Sequence, residues 1–322
     1  MPANEPFIIG IDIGGTNLRI GGVTLTGNCL HTSIFPSAVL SQGGDALDRL
    51  VQVVDTFRSE LGGDNCLGVS IGFPATVAKD RKHVHSVPNI LNDRGEHVLD
   101  NRNIVDPMEA ALGMPVVINR DVNNLLAFDC MFHGLNGLEI IVACYIGTGF
   151  GGAIMINGSV LTGKNGVADE IGHIPYHKSE RICACGKVAC AECYASGQAL
   201  RLIQKEQFPD TFIGDLFIKH GNEAVLHEFV EDCALPVATQ INIFDPDCVV
   251  ISGGVVSMQG FPRDELMRYI IKHTRKPFPA ENLRVIFSEH PKEAGIIGAA
   301  LSGMKALKIA YDPTVFRAAV QN

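Results

Sequence analysis

The sequence predicts an α/β protein of two related domains flanking a cleft, and three observations predict it. A strand, glycine turn and strand occur together twice, as FIIGIDIGGTNLRIGGVTL from Phe7 to Leu25 and as IIVACYIGTGFGGAIMING from Ile140 to Gly158. Overlaying the turns pairs Ile13, Gly14, Thr16 and Gly22 with Ile146, Gly147, Gly149 and the Gly151 to Gly152 pair, the mark of an internal repeat. Between and after these units helical and strand periods alternate, as in βα arrangements. A third glycine turn, ISGGVV at 251–256, follows the strand pattern DCVVISGG. A cleft between two such copies is the natural place for a ligand.

Each element follows in order. FIIGIDI and its partner are apolar, β-branched runs bounded by Gly14 and Gly15. DALDRLVQVVDTFRSEL repeats apolar residues at helical spacing and gives way to CLGVSIGFPA, a strand running into a proline turn. VVINRDVNNLLAFDCMFHG reads as a strand, a short polar turn and a helix opening near Val122. AVLHEFVEDCALPVATQINIFDP reads as a long helix broken or bent at Pro236. The small residues of AGIIGAALSGMKAL predict a helix that approaches another element closely. These elements divide into an N-terminal α/β domain over 1–118 and a C-terminal α/β domain over 119–303. The end of the chain, about 304–322, is expected to pack back on the first domain.

Composition excludes several classes. With 322 residues, 46% hydrophobic and 19% charged, the chain has the make-up of a globular protein of about two domains. A net charge of -9 and a pI near 5.6 offer no basic field for nucleic acid. No run is long and apolar enough to span a membrane, and MPANEPFIIG has no signal-peptide character. Ten scattered cysteines then point to a reducing, cytoplasmic setting.

The densest chemistry lies between Glu170 and Glu192. His173, Cys183, Cys185 and Cys190 can close a tetrahedral site around zinc, which four such ligands would make structural, with no open position. A disulfide or inert buried thiols are the competing readings; the reducing composition and the CxC spacing favour metal. Cys193 is a possible spare ligand, and Cys29, Cys66, Cys130, Cys144, Cys233 and Cys248 read mostly as core filling. The acids Glu170 and Glu192, fixed by a metal-tied loop, suit a polyhydroxylated ligand. DIGGTN and GTGFGG can present backbone N–H groups to phosphates, and Asp12 can hold magnesium. Asp121 has two readings, a helix N-cap or a general base for a hydroxyl, with Asn119, Arg120 and Asn123 beside it to orient a polar substrate. Asn89, after Pro88, is by itself an ordinary turn residue.

Taken together, DIGGTN at 12–17, GTGFGG at 147–152, ISGGV at 251–255 and above all EIGH at 170–173 with CACG at 183–186 and CAECYASG at 190–197 resemble the motifs of the ROK family of sugar kinases and related repressors. The match runs nearly end to end. It implies the actin-like ATPase (ribonuclease H-like) fold and ATP-dependent phosphorylation of the 6-hydroxyl of an aldohexose, with Mg2+ and a structural Zn2+. By the same resemblance Asp121 is the catalytic base, and Asn89, Arg120, Asp121, Glu170, His173 and Glu192 meet the sugar. Asp12, Gly14, Gly15, Thr16, Asn17, Gly147, Thr148, Gly149, Gly151, Gly152, Gly253 and Gly254 serve the nucleotide, while His173, Cys183, Cys185 and Cys190 hold zinc. The implied partners are a hexose and ATP, with a homodimer expected and neither nucleic acid nor membrane.

Three departures narrow the reading. Arg120 stands where the family usually has Asn, Asp169 where Gly usually precedes the glutamate, and Ala189 where Gly usually precedes the third cysteine. GFPATVAKDRK, SVPN, NRDVN, NIFDPD and the run from 253 to 263 are similar to the family's D-allose-phosphorylating members, so D-allose is the expected sugar. The family's repressors carry an N-terminal helix-turn-helix; with the first strand starting near Phe7, a kinase is expected instead of a DNA-binding regulator.

Overall fold

The computed structural model describes residues 5–41, 44–87, 90–92, 94–176 and 180–321. They fall into two compact units. Met1–Asn136, Thr162–Ala168 and Pro291–Asn322 form the first, and Gly137–Leu161 with Asp169–His290 the second.

In the first unit, β1 (Phe7–Ile13), β2 (Asn17–Thr24) and β3 (Cys29–Pro36) make an antiparallel meander. The helix α1 (Ala46–Glu60) starts where Asp45 accepts a 2.8 Å hydrogen bond from the Leu47 N–H and so caps it. Its buried Leu47, Leu50, Val54 and Phe57 recur at helical spacing, each contributing about 1.5–3 kcal/mol on burial. β4 (Cys66–Phe73) then runs parallel to β1. A small sheet of β5 (Thr76–Val77), β6 (His83–Ser86) and β7 (Arg102–Asn103) follows, then α2 (Val105–Leu112). β8 (Val116–Arg120) pairs parallel to β4 and leads directly into α3 (Asp121–Phe132), giving the order β3-β2-β1-β4-β8. The boundary expected at residue 118 falls inside β8, where Ile118 pairs with Ile71; the first unit continues through α3 because that helix packs back on the same sheet.

The second unit repeats the plan. β9 (Ile140–Ile146), β10 (Phe150–Ile156) and β11 (Ser159–Val160) form the meander, and the helices α4 (Gly197–Gln207), α5 (Leu216–His220) and α6 (Ala224–Phe244) follow. β12 (Cys248–Ser252) lies parallel to β9; after α7 (Arg263–His273) comes β13 (Val285–Phe287), parallel to β12. The order β11-β10-β9-β12-β13 reproduces the first sheet strand for strand, two antiparallel pairings followed by two parallel ones. The repeat seen in the two glycine hairpins is thus a repeat of whole sheets. Helix α6 runs through Pro236 without ending, the ring buried. Among the described residues no helix is long and apolar enough to cross a membrane.

The chain finally returns to the first unit with α8 (Ala294–Ala306) and α9 (Pro313–Val320). The expected C-terminal domain ended at 303, so α8 departs from that division. Its glycines give the reason, since they admit backbone that a larger side chain would exclude. A Cβ on Gly298 would collide with the Asn124 carbonyl on α3, one on Gly303 would lie 2.8 Å from Ser70 Cβ on β4, and Gly10 on β1 abuts the Ile296 carbonyl. Replacing a helical Gly by Ala ordinarily gains about 1 kcal/mol. At Gly298 the collision outweighs that gain, and Gly298→Ala is expected to destabilise the protein by about 1–3 kcal/mol, read as a lower urea midpoint.

Candidate functional site

The functional residues of the first unit gather at the carboxyl ends of β1 and β8. Gly14, Gly15 and Thr16 make the turn from β1 to β2, closed by a 2.8 Å hydrogen bond from the Gly14 N–H to the Asn17 carbonyl. Ser37 holds this turn by its carbonyls: its hydroxyl donates to Gly14 O at 2.6 Å and its N–H to Thr16 O at 2.9 Å. Asp12 pairs across the strands with Arg19, whose Nη1 lies 3.4 Å from Oδ2. Its carboxylate rests on the first turn of α8, where a Cβ at Gly295 would come within 2.5 Å of Asp12 Cγ. Burial raises the Asp12 pKa, and Arg19 offsets part of that rise.

At the end of β8, Asn119 is the hub of a buried polar network. Its Oδ1 accepts from Arg81 Nη2, from Asn123 Nδ2 at 3.2 Å and from the Arg120 N–H at 3.2 Å. Its Nδ2 donates to Asn124 Oδ1 at 3.0 Å. Arg120 is also buried, and its Nη1 donates to the Ala168 carbonyl at 2.7 Å. Asp121 is the first residue of α3, with Arg120 in the cap position and Asp121 Oδ1 accepting from the Val122 N–H at 2.8 Å. The N-cap alternative for Asp121 therefore does not describe this helix. Asn89 lies outside the described residues.

In the second unit the predicted cradle at 147–152 divides in two. Gly147, Thr148 and Gly149 form the turn, whereas Gly151 and Gly152 belong to β10 and pair with Tyr145 and Cys144. Gly152 makes room for Asp169, whose Oδ2 would be 2.5 Å from a Cβ there. The start of α4 holds the turn by its carbonyls, Gly197 N–H on Gly147 O at 2.8 Å and Gln198 N–H on Thr148 O at 3.1 Å. Glu192 reaches the same turn: its Oε2 accepts from the Phe150 N–H at 2.8 Å, against the Cα of Gly149. Gly253, at the end of β12, has φ +114° and sits against the Ile146 backbone, while the space beside Gly254 is open.

His173, Cys183, Cys185 and Cys190 converge, their ligand atoms all within 4.8 Å of one another. A zinc tetrahedron with Zn–S near 2.3 Å and Zn–N near 2.0 Å has edges of about 3.5–3.8 Å. The Cys183 Sγ to His173 Nδ1 distance of 3.5 Å and the Cys185 to Cys190 Sγ distance of 3.6 Å match two such edges, so the donor set fits the metal. Cys193 is not among the converging ligands. Burial pushes the Cys183 thiol up; at exposed Cys185 burial is outweighed by the Lys187 N–H and the neighbouring thiols, and that thiol is lowered. Nδ1 of His173 faces the sulfurs and Nε2 faces away, 3.7 Å from Glu170 Oε2. The loop is moored to α6 by Tyr176, whose hydroxyl donates to Asp232 Oδ1 at 2.6 Å. Of the other cysteines, Cys130, Cys144, Cys233 and Cys248 are buried as expected, whereas Cys29 is exposed.

The segment 8–304 matches the ROK family. The chain belongs to the ROK family. Among ROK relatives, the glucokinase of Streptomyces coelicolor is 30% identical over 319 residues, covering 91% of this chain and 96% of that one. The N-acetyl-D-glucosamine kinase of Haemophilus influenzae is 26% identical, covering 90% and 97%. A Streptomyces griseus ROK glucokinase, solved with glucose and AMPPNP, superimposes with a TM-score of 0.72 at 25% identity, over 91% of this chain and 98% of that chain. The fold is accordingly the actin-like ATPase fold of the ROK sugar kinases.

Two residues are not singled out in the sequence: Arg81 in the first unit, which reaches Asn119, and Gln240 in the second. Gln240, fully buried on α6, donates to Asp169 Oδ1 and accepts from the Cys144 thiol at 2.7 Å. This chain of contacts holds Asp169 at φ +67°, the left-handed conformation that the glycine usual there adopts freely, immediately before Glu170. Asp169→Gly and Asp169→Ala lose the same hydrogen bond but differ in backbone freedom. The Gly variant should therefore be the more stable by about 1–2 kcal/mol, measured from urea unfolding midpoints of the pair.

Proposed function

We propose that this ROK protein is an ATP-dependent sugar kinase that phosphorylates the 6-hydroxyl of an aldohexose. The observation that carries the reading is Asp121 at the head of α3, fixed on the Val122 N–H and flanked by the Asn119, Arg120 and Asn123 network. A carboxylate so placed accepts the proton of a sugar hydroxyl as the oxygen attacks phosphorus. Glu170, Glu192 and the Nε2 of His173 offer donors and acceptors to the remaining hydroxyls, with Asn89 added by the family motif. The two glycine turns serve the phosphates of ATP, Gly253 and Gly254 its adenosine, and Asp12 the magnesium. Magnesium supplies charge neutralisation of the phosphates when bound. Zinc on His173, Cys183, Cys185 and Cys190 supplies shape alone, since four protein ligands leave no position for chemistry.

For the sugar, D-allose is the reading we favour. The runs GFPATVAKDRK, SVPN, NRDVN and NIFDPD support it, and Arg120, a buried guanidinium tied to Ala168 where the family usually places a carboxamide, makes the sugar contacts on that side differ from the usual ones. The names of the relatives favour glucose as the alternative. A coupled ADP-release assay over allose, glucose, fructose, mannose and N-acetylmannosamine should give allose the highest kcat/KM. Glucose in first place would replace allose, and turnover of none would remove the kinase reading.

Asp121→Asn should lower kcat by about 10²–10⁴-fold with the sugar KM little changed, since the carboxamide keeps the shape but cannot take a proton. Near-normal turnover in that variant would exclude Asp121 as the base. Elemental analysis should find one zinc per chain, and chelation should lower the melting temperature and weaken sugar binding together. Loss of zinc with sugar affinity intact would separate the metal from the sugar site.

A further inference from the structure

Arg81 lies in the GFPATVAKDRK run, outside the phosphate and cysteine motifs, yet its guanidinium reaches the end of β8. It stands in the turn between β5 and β6 at φ +56°, a left-handed conformation that costs a residue with a side chain. Its Nη2 donates to Asn119 Oδ1. Its Nε is buried and has no acceptor among the described residues, and none of them forms an ion pair with it. A buried donor left in this way is unfavourable unless something else accepts its hydrogen bond.

The surroundings specify the acceptor. Lys79, Arg81, Asn119, Arg120, Asn123 and Thr162 line a small cavity in the first unit, and none of the described lining residues is acidic. Its enclosed part is small, of the size of one water or hydroxyl group. The lining offers guanidinium and ammonium donors together with carboxamide and hydroxyl oxygens. A sugar hydroxyl, which accepts one hydrogen bond and donates another, matches both the size and the polarity. The cavity shares Arg120 with the expected sugar contacts and lies one residue from Asp121.

We propose that Arg81 is a substrate-binding and specificity-determining residue, its Nε–H donating to one secondary hydroxyl of the hexose, which enters the cavity beside Arg120. This rests on the sugar-kinase reading. An epimer that turns the same hydroxyl elsewhere leaves the Arg81 donor buried and unused, and is discriminated against for that reason.

The test pairs deoxy sugars with substitutions. The preferred hexose and its 2-, 3- and 4-deoxy analogues are measured with the unaltered protein, Arg81→Met and Arg81→Lys, by turnover and by calorimetric binding. In the unaltered protein one deoxy analogue should lose on the order of 10- to 100-fold in kcat/KM and in affinity, the scale of a hydrogen bond from a charged donor. That same analogue should suffer no comparable loss in Arg81→Met. Equal penalties for every deoxy sugar in both proteins would overturn the assignment. Arg81→Lys, which keeps the charge but not the Nε donor, carries the comparison if the Met variant fails to fold. Sugar binding without turnover would count against the kinase reading while leaving the Arg81 contact measurable by calorimetry.

Discussion

Both glycine turns are held by their carbonyl oxygens, and the remainder of each site depends on that constraint. Ser37 takes the carbonyls of Gly14 and Thr16 in the first unit; the start of α4 takes those of Gly147 and Thr148 in the second. A peptide whose oxygen is fixed in this way has its orientation fixed, so the turn arrives with its shape already set. The neighbouring carboxylates are placed by the same close approach. Asp12 rests against Gly295 and Glu192 against Gly149, each where the absence of a Cβ leaves just enough room. Ordering these groups before substrate arrives removes part of the entropic cost of binding and positioning.

The second unit adds a connection of its own. Glu192 accepts from Phe150 beside the glycine turn and lies two residues beyond Cys190 of the metal cluster. The segment that carries Cys190 continues into Gly197 and Gln198, whose N–H groups brace the turn. The four converging side chains and a set of hydrogen bonds, among them Tyr176 N–H on Ala189 O at 2.7 Å and Ala191 N–H on Ile174 O at 3.0 Å, therefore organise a stretch with almost no regular secondary structure. A sulfur and imidazole cluster does here what a hydrophobic core does for the sheets.

Much of this was legible in the chain. The alternating patterns, the repeated hairpin and the small-residue helix all have counterparts in the sheets and in α8, because each depends on local periodicity or on glycine. The cluster was legible too, since three cysteines and a histidine at short range are a chemical signature independent of fold. What escaped depends on contacts across long sequence separations. Arg81 meets Asn119, and Gln240 meets Asp169, only after a helix or a sheet has been placed between them. The compact units differ from the division expected near 118 for a related reason: the strand pattern gave no sign that β8 joins the earlier sheet, and the glycines of α8 gave no sign of which sheet they face. Pro236, which reads as a break or a bend, does not end the helix, because the buried face of α6 carries it past.

The matched strand orders of the two sheets carry one more consequence. The two copies of one design differ in their insertions: the first carries the small sheet of β5 to β7 after its fourth strand, and the second a long excursion from Asp169 to Ser196 that contains the cysteine cluster. The excursion's geometry is set by its own ligands and a few moorings, so its composition is free to drift without disturbing the strands beneath. The excursion can therefore vary without moving the glycine turn beside it, whose carbonyls are held by the start of α4.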